Sequence, residues 1–329
     1  LRFLRHTWAR LAGLDARSLA LMRMSLGLVL LVDLAVRAMH FRMFYTDQGV
    51  LPLEVLYRHG LSPGDWSLYA LHGSLWSSLL LYLLHGLAAV SLTLGYRTTA
   101  SSLLCWLLTS SLQDRNFAVL NAGDSWLRMI LLWGIFLPWG RCWSLDQLST
   151  TPSTSPTPAK APLRKEGVRE VASLATFAYL LQEVSVYLFS GLAKSGSSWW
   201  PDGSAIYYAF QLNEWSSSLA RYPLYFPQLM RLLSYLVLAG EVVLPLLLLS
   251  PWARGQLRGV VVVLILAFHG SLMLTMKLGM FPAVGMAAAL GLLPSQAWRL
   301  GPMRRLESLL SQLYDHPTWA RWAPSPFPR

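Results

Sequence analysis

A series of apolar runs constrains this chain more than any other feature. The runs number eight, several of them reaching the roughly 20 residues that an α-helix needs to cross the hydrocarbon of a bilayer and the last being shorter. They fall at 18–39, 74–94, 98–112, 125–139, 171–193, 225–249, 257–275 and 283–293. The chain therefore reads as all-α: a polytopic transmembrane helical bundle with about eight spans. Composition agrees, since 54% of the 329 residues are hydrophobic and 13% are charged, against about 25% charged in average soluble domains. The first run has neither the short apolar core nor the small-residue cleavage site of a signal peptide, and is read as a retained helix.

The formal charge of +11 could point to nucleic acid, but loop charge explains it better. With the amino terminus inside, the inner loops hold Arg2, Arg5, Arg10, Arg17, Arg97, Arg141, Lys160, Arg164, Lys165, Arg169, Arg254 and Arg258, with the tail arginines. The outer loops hold few basic residues. That is the positive-inside pattern, and it puts both termini in the cytoplasm. The segments are then a basic amino-terminal stretch (1–17), the membrane domain (18–293) and a carboxy-terminal tail (294–329). A Ser/Thr/Pro-rich stretch at 141–169 reads as a flexible cytoplasmic linker.

Polar residues inside apolar runs are costly and should face the bundle or a cavity. They include Glu183, Glu241, His85 and His269. Asp33 with Arg37, and Asp124 with Arg128, stand four apart and can pair along one helix face. Asp15 is placed as a cap or as a first-turn acid of the first helix. Asn116 and Asn121 have two readings, ligand binding or capping of the fourth span. The two cysteines, Cys105 and Cys142, form no disulfide framework, and no metal-ligand motif is present. No metal and no nucleotide is expected.

Only four lysines occur: Lys160, Lys165, Lys194 and Lys277. Lys194 ends the fifth run and precedes an aromatic segment with Trp199, Trp200, Tyr207 and Tyr208. It reads either as an anchor that snorkels to the headgroups or as a general base, because desolvation disfavours the charged ammonium. The topology puts Arg115, Asn116, Asp124, Lys194, Asp202 and Lys277 at the outer face, with His269 slightly deeper. The residues 205–212 read as an apolar interfacial piece.

At these residues the sequence resembles the HTTM membrane domain, shared with vitamin K-dependent gamma-glutamyl carboxylase. The resemblance is carried by Phe44-Tyr45-Thr46-Asp47-Gln48-Gly49-Val50, by Asp114-Arg115-Asn116 with Gly123-Asp124, by Ser190-Gly191-Leu192-Ala193-Lys194 with Trp200 and Gly203, and by Phe268-His269-Gly270 through Gly279-Met280-Phe281. The Ser-Gly-Leu-x-Lys stretch is also similar to lipase maturation factors. The resemblance implies an eight-span enzyme with its site facing outward, which oxidises a reduced quinone (vitamin K hydroquinone or menaquinol) with oxygen. It implies Lys194 as the base that deprotonates the quinol, and Asn116 as the residue that helps hold it. Arg115, Asp124, Trp200, Tyr207 and His269 are the further candidates for the quinol site.

Two departures matter. The family enzyme has a histidine directly after the asparagine, where this chain has Phe117. Its large lumenal domain is expected to be absent here, and nothing in the chain reads as a grip for a peptide substrate. The expectation is thus a carboxylase-like quinol oxygenase or epoxidase of a prokaryotic plasma membrane, with membrane lipid and a lipid-soluble quinol as partners and no nucleic acid. A small-solute or ion transporter, and a non-catalytic maturation module, stay open beside it.

Overall fold

The computed structural model describes residues 11–60, 64–149, 170–250 and 254–314. The expected amino-terminal arginines up to Arg10, the linker from 150 to 169 and the end of the tail lie outside these residues. The protein is mostly helical, 74%. Each apolar run of the sequence carries a helix: α1 Ala16–Ala38, α2 Leu75–Leu94, α3 Thr98–Arg115, α4 Ala122–Gly134, α5 Leu174–Ala193, α6 Pro227–Leu248, α7 Arg254–Thr275 and α8 Phe281–Gly291. A further helix, α9, runs over Gly301–Tyr314. Among the described residues, four helices are long and apolar enough to cross a membrane: α1, α2, α6 and, from Gly255, α7.

Capping chemistry, more than hydropathy, sets the helix ends. α4 begins three residues before its apolar run because Asn121 and Asp124 form a capping box. Asn121 Oδ1 accepts from Gly123 N at 2.8 Å, and Asp124 Oδ2 accepts from Asn121 N at 2.8 Å. The same helix stops at Gly134, short of the expected 139. Pro138 cannot continue it, and the Trp139 ring folds back so closely that a Cβ on Gly134 would meet it at 2.2 Å. α5 starts at Leu174, capped by Ser173 and Thr176. The residues before it instead form β2 (Glu170–Val171), antiparallel to β1 (Leu14–Asp15). α2 closes on Gly95 at φ 72°, with Tyr96 N donating to Ser91 O at 2.9 Å, the 6→1 bond of a Schellman end. Of its two expected roles Asp15 takes the cap of α1, accepting from Arg17 N at 2.9 Å.

The chain divides into two compact units: Leu1–Ser18 with Glu170–Gly301, and Leu19–Arg169 with Pro302–Arg329. In the first unit α5 packs on α6, α6 on α7 and α7 on α8. Its amino-terminal arm is pinned by Arg258, which donates to Gly13 O at 2.9 Å, and by Ser18, which donates to Leu293 O at 2.8 Å and accepts from Trp298 Nε1 at 2.8 Å. In the second unit α2 packs on α3, and α3 on α4. There Gly27 lies flush against Thr93, where a Cβ would meet Thr93 Oγ1 at 2.2 Å. The free faces of the long helices are bare apolar surface. Leu28, Val32 and Val36 on α1, Leu80, Leu83 and Leu87 on α2, and Leu229, Leu232 and Leu236 on α6 are all exposed.

Candidate functional site

Lys194 stands at the carboxy-terminal end of α5, in the first unit. Glycine at 191 makes its setting: α6 approaches so closely that a Cβ there would meet Val242 Cγ2 at 2.9 Å and Glu241 Cβ at 3.1 Å. That approach brings Glu241 beside the lysine, and Lys194 Nζ pairs with Glu241 Oε2. Nζ also donates to Ser190 Oγ at 2.9 Å and to Ser190 O at 3.3 Å. An ammonium has three N–H donors, and three acceptors stand around it. The Trp199 ring lies under the amine, 5.3 Å from Nζ to its centroid. The side chain is 18% exposed, so the pair is largely desolvated yet reachable.

The segment after Lys194 is held on α6. Tyr235 OH donates to Pro201 O, and Gly203 at φ 67° sits against Arg231 and Tyr235. Trp200 is exposed, with its ring 5.4 Å from that of Tyr235. The expected piece at 205–212 is a short helix, Ala205–Gln211, carrying half-buried Tyr207 with Tyr208 at 6.0 Å. Lys277 Nζ donates to Asn213 O at 3.2 Å. One turn before Ser190, Tyr187 OH shares a 2.9 Å hydrogen bond with His269 Nε2 of α7. Both are buried, and the His269 ring lies on Gly285 of α8, where a Cβ would meet it at 2.4 Å.

Arg115, Asn116 and Asp124 belong to the second unit. Asn116 is fully buried and spends both ends of its amide on the main chain. Nδ2 donates to Phe44 O at 3.1 Å, and Oδ1 accepts from Ala118 N at 3.1 Å. Arg115 Nη1 donates to Leu51 O at 2.8 Å, with Asp47 Oδ1 3.7 Å from Nη2. Burial pulls this guanidinium below its usual value, and Asp47 opposes the shift. The spacing pair Asp33–Arg37 forms, at 2.7 Å. The pair Asp124–Arg128 does not. Asp124 is committed to its capping box and to Arg37 Nη2, while Arg128 turns to Asp114 at 2.7 Å and to Gln113 Oε1 at 2.8 Å. Burial also raises the Tyr45 phenol, which accepts from Arg37 Nη1 at 2.8 Å. His85 meets Thr109 Oγ1 at 3.0 Å.

No protein-family model, no curated protein and no solved structure matches this chain. Among the described residues no group of three or more His, Cys, Asp or Glu is arranged to hold a metal ion. The sequence shows Ser190 only as part of the Ser-Gly-Leu-x-Lys stretch, without its role beside the amine; Glu241 as the partner of Lys194, and Tyr187 altogether, are found only in the structure. A signal for Glu241 existed: a lone lysine and a lone glutamate, both at costly positions in apolar runs, each require a partner.

Proposed function

We propose that this chain is a multi-pass integral membrane protein of a prokaryotic plasma membrane, with eight spans and both termini cytoplasmic. The bare leucine and valine faces of α1, α2 and α6 support it, since contiguous exposed apolar surface of this kind needs a nonaqueous neighbour. The alternation of basic loops supports the orientation. Within this frame the chain is a relative of the HTTM group, and the Lys194–Glu241 pair is its proton-accepting site for a reduced quinone.

The observation that carries this reading is the pair itself, with Ser190 at its side and Trp199 beneath it. A buried ion pair is a poor source of stability, so its presence at an accessible helix end favours a chemical role. Transfer of a proton from Lys194 Nζ to Glu241 Oε2 leaves an amine and a carboxylic acid, both neutral. The amine lone pair thus appears without separated charge in an apolar surrounding. It can then take a hydroxyl proton from a bound donor and regain the ammonium. The reduced quinone supplies that hydroxyl and the electrons, which molecular oxygen accepts. The Trp199 face, with exposed Trp200 and half-buried Tyr207 on the same segment, suits a flat ring. The fit is poorer at Asn116, whose amide is already spent on Phe44 and Ala118. We therefore assign the site to the Lys194 end.

The test is oxygen-dependent consumption of reduced naphthoquinones such as menadiol by the full chain in nanodiscs. Lys194→Arg keeps a charge partner for Glu241 but cannot release its proton. It should lower turnover by about 10²-fold or more with little change in thermal unfolding. Wild-type protein that neither binds nor oxidises any naphthoquinol, or a fully active Lys194→Arg variant, would sink the proposal.

A further inference from the structure

The helix α9 turns its apolar residues in two directions. At 3.6 residues per turn, Met303, Leu310 and Tyr314 fall on one edge, and Pro302, Leu309 and Leu313 on the next, with Leu306 between them. The first edge faces the second unit: Met303 and Leu310 are half-buried and Tyr314 is buried. The second edge is exposed, Leu309 at 63% and Leu313 at 53%. Arg305 borders this exposed edge, three residues after Pro302 and four before Leu309. It is itself exposed, as is Arg304. A polar face with exposed Ser308 and Gln312 lies beyond them.

The place of α9 in its unit says what the exposed edge meets. Tyr314 OH stands 3.8 Å from Met24 Sδ, and Ser311 Oγ accepts from Trp143 Nε1 at 3.3 Å. Arg23, next to Met24, donates to Leu92 O and Thr93 O at the end of α2. So α9 packs at the end of the unit where α1 begins and α2 ends, the end that loop charge puts inside. Met24 lies ~12 Å along α1 at 1.5 Å per residue. With Leu28, Val32 and Val36 it forms a stripe at four-residue spacing, whose last three members are exposed. The exposed edge of α9 thus neighbours the apolar stripe of α1.

We propose that α9 lies in the inner surface of the bilayer, with its Leu309–Leu313 edge among the acyl chains and Arg304 and Arg305 at the lipid phosphates. This rests on the reading of the chain as a multi-pass membrane protein. Phospholipid fits both parts of the surface. An apolar ridge bordered by guanidinium groups is the pattern of a helix that lies in the headgroup layer. The fork of each arginine matches phosphate oxygens, while its stem covers apolar surface.

Nitroxide labels on the full chain, in nanodiscs of phosphatidylglycerol and phosphatidylcholine, test this. Cys142→Ser removes the half-buried native thiol, and Cys105 is buried. Three exposed positions are compared: Leu309→Cys on the ridge, Ser308→Cys on the polar face and Val32→Cys on the stripe of α1. The readout is collision with oxygen, which concentrates in lipid, against collision with a water-soluble nickel chelate. The oxygen-to-chelate ratio should be several-fold higher at position 309 than at 308, and higher again at 32. Equal ratios at 309 and 308, with 32 in lipid, would overturn this inference and leave the membrane reading standing. A label at 309 shielded from both reagents would also overturn it, since protein would then cover the ridge. A label at 32 as open to the chelate as that at 308 would sink the membrane reading, and this inference with it. Arg304→Gln combined with Arg305→Gln should lower the ratio at 309, and an unchanged ratio would overturn the phosphate contact.

Discussion

Arg23 is fully buried in α1, and its guanidinium collects main-chain carbonyls: Leu92 O at 2.6 Å, Thr93 O at 2.8 Å, Trp139 O at 3.1 Å and Trp143 O. The first two belong to the last turn of α2, whose final carbonyls have no partner within the helix. A charged side chain thus replaces water at a buried helix end. Replacing it with leucine leaves these acceptors without their donor, and a hydrogen bond to a charged group is worth about 1.5–3 kcal/mol. Arg23→Leu should therefore cost about 3 kcal/mol or more, read as a lowered unfolding midpoint in detergent. Arg23→Lys should lose part of that, because an ammonium cannot span the fork of acceptors. A silent Arg23→Leu would refute the capping role. At this scale the sequence reveals local pairs but not distant ones. Asp33–Arg37 and Asp124–Arg128 have identical spacing, yet only the first forms, because Asp124 is claimed by its own helix end and by Arg37. Spacing says which partners are within reach, whereas competition from elsewhere in the fold decides among them.

Helices in this chain approach one another where glycine permits it, and these seats position the candidate site. Gly191 lets α6 bring Glu241 to Lys194, and Gly285 lets α8 support His269. Gly285→Ala would place a methyl 2.4 Å from the His269 ring. That ring is already held by Tyr187, so the expected cost is about 1–3 kcal/mol of overpacking and a displaced Tyr187–His269 bond. The control is Gly270→Ala on α7, where a Cβ meets nothing within 4 Å. It should be neutral or gain up to about 1 kcal/mol from helix propensity. Thermal unfolding of the two variants side by side checks the argument, and equal midpoints would refute it. Element positions were legible because apolar runs and helices share a cause. Element ends were less so, since Asn121, Ser173 and Pro138 override hydropathy there. The helix α9 was read as tail, although Leu306, Leu309, Leu310 and Leu313 carry helical spacing.

Across the whole chain, each compact unit borrows its last piece from the far end of the sequence. Residues 11–18 complete the unit built from 170 to 301, through β1 on β2, Arg258 on Gly13 and Trp298 on Ser18. The helix α9, from Pro302 on, completes the other, with Trp143 Nε1 donating to Ser311 Oγ at 3.3 Å and Tyr314 OH 3.8 Å from Met24 Sδ. No local pattern announces such an exchange, because its contacts join residues about as far apart as the chain allows. The consequence can be tested by cutting the chain between Ala159 and Lys160, in the stretch whose Ser/Thr/Pro composition reads as a linker. Each fragment then carries an arm that belongs to a unit built mainly by the other. Co-expressed, the two should be recovered together from the membrane on a tag placed on either one. An amino-terminal fragment that begins at Leu19, or a carboxy-terminal fragment that stops at Gly301, should lower that recovery several-fold, and trimming both should lower it further. Equal recovery from trimmed and untrimmed fragments would mean that the arms are passengers, and that hydrogen bonds such as Trp298 to Ser18 do not hold the halves together.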